Sequence, residues 1–321
     1  MFGAETAMLL KQDPILKAYL KPLWPYIQTK NLIEIRVTSV GIICLQIDNE
    51  PKRFVQCPEL DFDYWLELFY ALANGDGEYF DLQKQPKVST RLPGGHRFEG
   101  CLGQRTRKDI NVTIRIKRQL NLSISAFNLP QVYQDRILSI VKNGGNIVIS
   151  GGTGSGKTTF LNALIRHIPL TTRILSIEDT YEVDIPHIEL GLDSASFIVS
   201  RNEKNPAVGY PEFLDHFVRS TPDVIIAGEV SIANAFPIIR LMNGGESGVF
   251  CTLHAENAEL ALKLTIPQNI KLAGIDYPGI TDVLYQLVDI VIHLHRTIDG
   301  KKEVKEILFP KIKEYLQWQQ V

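Results

Sequence analysis

A glycine-rich run at residues 151–158 carries the clearest chemical signal in the sequence. It reads GGTGSGKT and fits the pattern G-x-x-x-x-G-K-[ST] without a mismatch. The glycines let the main chain curl so that successive N–H groups point inward, where they hold phosphate. Lys157 would place its ammonium against the β- and γ-phosphates, and Thr158 would offer its hydroxyl to Mg²⁺. We therefore expect nucleotide contacts from Gly152, Thr153, Gly154, Ser155, Gly156, Lys157, Thr158 and Thr159.

Three apolar segments of the second half each end in a residue that can ionise: Glu178, Glu229 and His254. In an open α/β sheet, ligands bind beyond the carboxyl ends of the strands, so we expect these side chains to converge near the glycine-rich run. We expect Glu229 to activate or orient water or to hold Mg²⁺, and Glu178 to assist through water or metal. Asp179 and Glu182 extend this second acidic group. The metal ligands would then be Thr158, Glu178 and Glu229, and His254 would hydrogen-bond the γ-phosphate and report its presence.

Each of these residues also has a structural interpretation. Glu229 can serve as a helix-cap partner before Ser231, and Glu178 with Asp179 can be turn carboxylates. His254 can be a satisfied core histidine. His293 and His295 alternate on a late strand, and we interpret both as structural.

The elements needed to position this chemistry are visible in the second half. Residues 145–150 read as a buried strand and 159–165 as the helix whose N-terminus faces the phosphates. Further strands are predicted at 173–178, 223–229 and 249–254, and they alternate with helices as in a mostly parallel sheet. Segments 287–294 and 304–308 flank Asp299-Gly300 and predict a closing hairpin.

The first 125 or so residues predict a separate, compact α+β domain. Strands are expected at 32–37, 42–47, 96–102 and 111–116, with a helix over 64–73. The predicted domains are 1–122 and 131–321, joined by a linker at 123–130. Residues 8–26 mix leucines, lysines and aromatics with three prolines, and we favour packing on the first domain over a membrane-surface helix.

The first domain is rich in arginine. Such a set is usually a solvated sheet face, but one or two members can also reach a nucleotide at a domain boundary. For that role the sequence favours Arg97 and Arg115, with Arg219 and Arg240 of the second domain as alternatives across an interface. The six first-domain arginines considered are Arg91, Arg97, Arg105, Arg107, Arg115 and Arg118.

The composition is that of a soluble globular protein of one large or two ordinary domains. The chain has 321 residues, 45% hydrophobic and 22% charged residues and a formal net charge of −2, so nothing demands nucleic acid. No apolar run approaches the ~18 residues of a membrane span, and no secretory signal is visible. The four cysteines form no C-x-x-C pair, so we do not expect a zinc site. We expect the cysteines to be reduced thiols.

The order of the motifs resembles the secretion (traffic) ATPases. It runs GGTGSGKTT at 151–159, RILSIEDTYEV at 173–183, RSTPDVIIAGEV at 219–230 and NGGESGVFCTLHAENA at 243–258. These match the family's Walker A, Asp box, Walker B and His box. RLPGGHRFEG at 91–100 resembles the stretch before the ATPase domain. The short chain without a C-x-x-C insertion is most similar to the ring ATPases of bacterial type IV secretion and conjugation.

That resemblance implies a RecA-like P-loop domain preceded by a smaller α+β domain. It also implies Mg²⁺-dependent ATP hydrolysis by a homohexamer that drives domain motion. ATP would lie between the two domains. The ring would sit in the cytoplasm at the inner face of the bacterial inner membrane. Its partners would be inner-membrane components of the secretion machine and the membrane surface, with nucleic acid involved only indirectly.

Other functions share this core. A nucleotide-gated assembly module with little turnover, a type IV pilus or type II secretion motor, and a DNA motor all remain open from the residues. A GTP switch is not expected, because no N-K-x-D signal is present. The chain departs from the family at Thr221, at Ser231 and at 243–246, none of which alters the roles expected of Lys157 or Glu229.

Overall fold

The computed structural model describes residues 14–48, 50–75, 79–117, 122–179, 182–199, 209–245 and 248–317. It divides the chain into two compact units, Met1–Gln119 and Leu120–Val321. Each unit buries its own apolar side chains. The predicted boundaries at 122 and 130 stay predictions, and within that predicted linker Ile124 and Phe127 are buried in the second unit.

The N-terminal unit contains a six-stranded antiparallel sheet in the order β3-β2-β1-β6-β5-β4. Its strands are β1 (Leu32–Ser39), β2 (Ile42–Ile47), β3 (Arg53–Gln56), β4 (Lys87–Leu92), β5 (His96–Leu102) and β6 (Ile110–Arg115). Its helices are α1 (Pro14–Leu20), α2 (Trp24–Ile27) and α3 (Phe62–Gly75). The alternating burial of β2 and β6 leaves one face of the sheet in the core, as expected for antiparallel strands.

Helix α3 covers the sheet with an apolar stripe that includes Trp65 and Phe69. The Phe69 ring meets Phe98 edge-on, with 5.4 Å between ring centroids. A Cβ at Gly100 would lie 2.3 Å from the Phe69 ring, so this strand position has room only for glycine.

The predicted strands and the helix of this unit are confirmed, with ends shifted by one or two residues. The predicted packing of the N-terminal segment is confirmed for the residues that are described. Leu20, Leu23 and Ile27 are buried in the core of this unit. Residues 8–13, and Arg118 of the arginine set, lie outside the described residues.

The second unit contains an eight-stranded sheet in the order β14-β13-β12-β7-β11-β10-β8-β9. The strands from β12 to β9 in this order run parallel, and β13 and β14 add an antiparallel edge. The bounds are β7 (Ile147–Gly151), β8 (Ile174–Glu178), β9 (Ser194–Ile198), β10 (Val224–Ala227), β11 (Gly248–Leu253), β12 (Ile290–Arg296), β13 (Lys302–Phe309) and β14 (Glu314–Gln317).

The helices of this unit pack against the sheet. They are α4 (Gln131–Lys142), α5 (Lys157–Ile165), α6 (Pro186–Glu189), α7 (Tyr210–Arg219), α8 (Ala235–Gly244), α9 (Ala258–Leu260), α10 (Ile266–Leu272) and α11 (Ile280–Leu287), with a π-helical turn at Ala261–Thr265 and 3₁₀ turns at Ile124–Phe127 and Pro310–Ile312. Neighbouring strand residues enter different cores: Ile147 and Ile149 pack in one and Val148 in the other. The sheet is therefore buried on both faces, as parallel sheets are.

This architecture confirms the predicted α/β class, with a mainly parallel RecA-like sheet and a smaller α+β unit before it. The predicted strand 287–294 is wrong at its start, because Leu287 ends α11 and β12 begins at Ile290. The strand predicted over 223–229 is shorter, Val224–Ala227, so Glu229 stands beyond it. Among the described residues, no helix is long and apolar enough to cross a bilayer. All four cysteines are free thiols.

Candidate nucleotide-binding site

The glycine-rich run forms a tight loop between β7 and α5. Gly154 and Gly156 have φ of 75° and 99°, a region that suits glycine, and α5 begins at Lys157. A Cβ added at Gly152 or Gly154 would meet nothing within 4 Å, so the loop faces open space there. The Ser155 hydroxyl is buried and has no hydrogen-bond partner within the part of the chain that the structure describes. This loop has the shape and main-chain donors of a phosphate cradle.

Lys157 lies under the loop, with only 8% of its surface exposed. Its ammonium donates to the carbonyl oxygens of Gly151 at 3.0 Å and Gly152 at 3.1 Å. Burial lowers the pKa of this amine below its ordinary value, and the nearby carboxylates of Glu229 and Glu182 only partly oppose this shift. The geometry keeps the cation at the phosphate-facing end of the loop.

His254 connects Lys157 to Glu229. Its Nδ1 and Nε2 lie 3.3 Å and 3.4 Å from the Lys157 ammonium, and its Nε2 lies 3.0 Å from Glu229 Oε1. An imidazole with its proton on Nε2 donates to the Glu229 carboxylate, while the Lys157 ammonium lies against the same ring. His254 and Glu229 side chains are 49% and 31% exposed. These two groups therefore stay within reach of water and of a ligand at the loop.

The positions of Glu229 and His254 are set by the strands that precede them. The Thr252 hydroxyl donates to the carbonyl of Gly228, and the Val230 N–H donates to Thr252 O at 2.7 Å. Both side chains thus leave adjacent parallel strands, β10 and β11, at the same edge of the sheet. As the sequence predicts, His254 and Glu229 meet there beside the loop.

Glu178 has a different environment from the one the sequence predicts. It is 2% exposed, and its Oε2 accepts the main-chain N–H groups of Glu182 at 2.8 Å and Val183 at 2.9 Å. Its side chain passes over Gly228, where an added Cβ would lie 2.8 Å from Glu178 Cγ. This carboxylate fixes the chain that follows β8, and its predicted role at the metal stays a prediction.

Glu182 is the acid that reaches the loop threonine. The Thr158 hydroxyl donates to Glu182 Oε2 at 3.2 Å. Asn162 of α5 holds this segment, because its Nδ2 donates to Glu182 O at 3.1 Å and its Oδ1 accepts the Asp184 N–H at 3.0 Å. Sequence reasoning named Glu182 only as a member of an acidic group and missed Asn162. The one available signal was the spacing of Glu182, one turn beyond Glu178.

The available oxygens suit a hard divalent cation. Within the described chain, no group of three or more His, Cys, Asp or Glu side chains is arranged to hold a metal. A hydroxyl with one nearby carboxylate, as at Thr158 and Glu182, matches Mg²⁺, which takes few protein ligands and completes its shell with phosphate and water. The residues present therefore fit a magnesium–nucleotide complex.

The predicted arginines belong to different environments. Arg97 donates to Glu99 at 3.1 Å, and its Cα pairs with that of exposed Arg115 across β5 and β6. Arg219 is exposed and pairs with Asp215 at 3.1 Å. The roles of these side chains, and of Arg240, at a nucleotide stay predictions.

His293 lies beneath the loop rather than in it. It is 4% exposed, and its Nδ1 lies 3.0 Å from the hydroxyl of Ser150, the residue before Gly151. Burial lowers the pKa of this imidazole to about 4. The side chain is thus a buried, neutral partner of β7, in agreement with the structural interpretation.

Comparison with known proteins yields a consistent set. The family model described as "Type II/IV secretion system protein" matches residues 86–297. The type IV secretion system protein VirB11 of Bartonella quintana (strain Toulouse) is 28% identical and aligns over 94% of both chains. The probable conjugal transfer protein TrbB of Sinorhizobium fredii (strain NBRC 101917 / NGR234) is 30% identical over 70% of this chain and 67% of that protein.

Solved structures show the same fold. The pilus retraction motor PilT with bound ADP superposes with a TM-score of 0.65 at 20% identity, covering 92% of this chain and 83% of that one. The Legionella pneumophila ATPase DotB gives a TM-score of 0.64 at 16% identity, over 91% and 80% of the two chains. At these identities the likeness concerns the fold alone.

Proposed function

The chain belongs to the family of type II/IV secretion system proteins, and from that premise we propose that it is the ATPase of a bacterial type IV secretion or conjugation apparatus. The match to VirB11 over nearly the whole chain and the match to TrbB support this assignment. The observation that carries it is the contact of Lys157, His254 and Glu229 at the open side of the phosphate loop.

In the proposed reaction, the main-chain N–H groups of residues 152–159 and the Lys157 ammonium bind the phosphates of ATP. Thr158 and Glu182 would hold Mg²⁺, which neutralises negative charge on the phosphate oxygens when bound. Glu229 accepts a proton from the attacking water or orients it, because its partly exposed carboxylate is directed by His254. We retain Glu178 in the site as the group that holds the 182–183 main chain in place.

His254 links binding to chemistry in this scheme. It contacts both the cation that faces the γ-phosphate and the carboxylate that faces water. A change in the position of Lys157 on binding ATP is therefore transmitted to Glu229 through a single imidazole. Such a link would let the site distinguish ATP from ADP and convert hydrolysis into motion of the domains.

The proposed assembly is a homohexamer at the inner face of the bacterial inner membrane, working with inner-membrane components of the secretion machine. Arg97 and Arg115 are proposed to reach the nucleotide from the N-terminal unit. Native mass measured with and without ATP and Mg²⁺ tests the assembly. A six-fold mass supports the ring, whereas a persistent monomer contradicts it.

Steady-state phosphate release tests the activity. Glu229→Gln keeps the size of the side chain but cannot take a proton, so we expect turnover to fall about 100- to 1000-fold while ATP still binds. Glu259→Gln removes an exposed carboxylate that pairs with Lys263 in the same helical segment, and it serves as the matched control. Full turnover in Glu229→Gln would remove that residue from the chemistry. ATP binding without turnover in the wild-type protein would favour a nucleotide-gated assembly module.

A further inference from the structure

The phosphate loop has a second flank that the proposed reaction does not use. Strand β12 lies directly beside β7, with Leu294 paired to Gly151. The chain then turns at 297–301 and returns as β13. Because β7 and β12 are parallel, this turn lies at the same edge of the sheet as the phosphate loop.

Lys302, the first residue of β13, packs its aliphatic stem against Gly156. A Cβ added at Gly156 would lie 2.7 Å from Lys302 Cδ, 3.4 Å from Cγ and 3.3 Å from Cβ. The ammonium is attached two bonds beyond the Cδ that makes the closest approach. A positive charge is therefore tethered beside the residue that precedes Lys157, and Lys302 is only partly exposed.

The groups nearest to the loop differ between its two flanks. On the side of β8 and β10 stand the carboxylates of Glu182 and Glu229, which contact Thr158 and His254. On the side of β12 and β13, Lys302 is cross-strand partner to exposed Arg296. The neighbouring Lys301 is exposed and forms an ion pair with Asp299 at 3.1 Å.

We propose that Lys302 is a further cationic contact for the polyphosphate of the bound nucleotide, supplied from the same unit as Lys157 by the β12–β13 hairpin. This inference rests on the proposed function of the loop. A nucleoside triphosphate brings several negative charges into the cradle, and Lys157 and one divalent cation leave part of that charge uncompensated. A lysine acts here as a mobile point charge, so it needs a tether near the phosphates more than a fixed geometry.

The test is the affinity for ATP and for ADP of Lys302→Met, measured by calorimetric titration in low salt. Methionine keeps an unbranched apolar stem on Gly156, with sulfur in place of Cδ, and removes the ammonium. We expect both dissociation constants to rise about five- to tenfold, because both nucleotides fill the β-phosphate cradle. Lys301→Met is the matched control and should bind both nucleotides as the wild type does. Lys302→Arg should restore most of the affinity.

The salt dependence separates charge from packing. The difference between wild type and Lys302→Met should shrink at high ionic strength if it is electrostatic. Equal affinities of wild type and Lys302→Met, or equal losses in Lys301→Met, overturn the inference. So does a loss of affinity that does not change with salt. Each of these outcomes leaves the proposed function intact as long as the wild type binds and hydrolyses ATP. A wild type that binds neither ATP nor ADP would contradict both the proposed function and the inference about Lys302.

Discussion

Polar side chains have different roles at the two margins of the eight-stranded sheet: the amino edge, where the parallel strands begin, and the carboxyl edge, where they end. At the amino edge, the Asn146 N–H donates to Asp289 at 2.8 Å, its side-chain amide donates to Leu287 O at 3.0 Å, and its Oδ1 accepts the Val249 N–H at 3.0 Å. At the carboxyl edge, Lys157, His254 and Glu229 contact one another around an opening.

The difference separates polar groups that build the fold from polar groups that act. Asn146 precedes β7 and joins it to β11 through the Val249 N–H and to the segment before β12 through Leu287 O and the Asp289 carboxylate. Asp223 likewise accepts the Arg173 N–H at 2.7 Å to join β10 and β8. These bonds connect main-chain segments of neighbouring strands. The carboxyl-edge groups hold each other with side-chain contacts that a phosphate or a water molecule can replace.

The variant Lys157→Ala tests this difference between the two edges with the largest expected effect. The ammonium lies at the phosphate end of the loop, so its removal should lower phosphate release by about 1000-fold or more. We expect the midpoint of thermal unfolding to stay close to that of the wild type, because the variant also removes the unfavourable burial of a charge. Retained turnover, or a large loss of stability without loss of turnover, would place Lys157 with the fold-building groups.

The variant Asn146→Ala tests the polar groups of the amino edge. It leaves two main-chain groups, Leu287 O and the Val249 N–H, without this partner, so we expect a loss of about 2–4 kcal/mol in the free energy of unfolding. Turnover per folded molecule should remain within about twofold at low temperature. Exposed Asn143, whose amide lies 3.5 Å from the Ser139 hydroxyl, provides the control variant Asn143→Ala. A selective loss of turnover in Asn146→Ala would erase the distinction between the edges.

His254→Ala sharpens the comparison within the carboxyl edge. Without the imidazole, Lys157 and Glu229 lose the group that connects them, and we expect kcat to fall about 10- to 100-fold with a smaller change in KM. His167→Ala, at an exposed position on the same unit, is the control. An unchanged kcat would show that Glu229 is positioned without His254.

Glu182→Gln should have the smallest effect. The change weakens a single carboxylate near the Thr158 hydroxyl, so we expect the Mg²⁺ concentration for half-maximal turnover to rise about three- to fivefold. Turnover at saturating Mg²⁺ should recover. Exposed Glu212 supplies the control Glu212→Gln. A loss of turnover that excess Mg²⁺ does not reverse would assign Glu182 to another step.

Much of this site could be predicted from the sequence because its signals are local. The glycine-rich run fixes its own loop, and the rule that parallel strands end at one edge brings Glu229 to His254 although 25 positions separate them in the printed sequence. The approximate bounds of β7, β8 and β11 follow from short apolar runs.

The remainder depends on how distant segments meet. The main-chain partners of Glu178 lie in a loop whose path no pattern specifies, and the role of Asn146 needs Leu287 and Asp289, far along the chain. The contact of Lys302 with Gly156 depends on the order of strands in the sheet, which puts β12 next to β7. Strands β9 and β14 escaped prediction because they are short and only partly buried.

Gly228 allows close packing between the carboxyl ends of strands β10 and β8. The space that its absent methyl group leaves is filled by Glu178 Cγ, and the same carboxylate holds the main chain at 182–183 from which Glu182 reaches Thr158. A Cβ added at position 228 would therefore displace Glu178 and, through the main chain at 182–183, change the contact of Glu182 with the Thr158 hydroxyl. The close packing of Gly228 against Glu178 thus influences the position of Glu182 through the main chain that Glu178 holds.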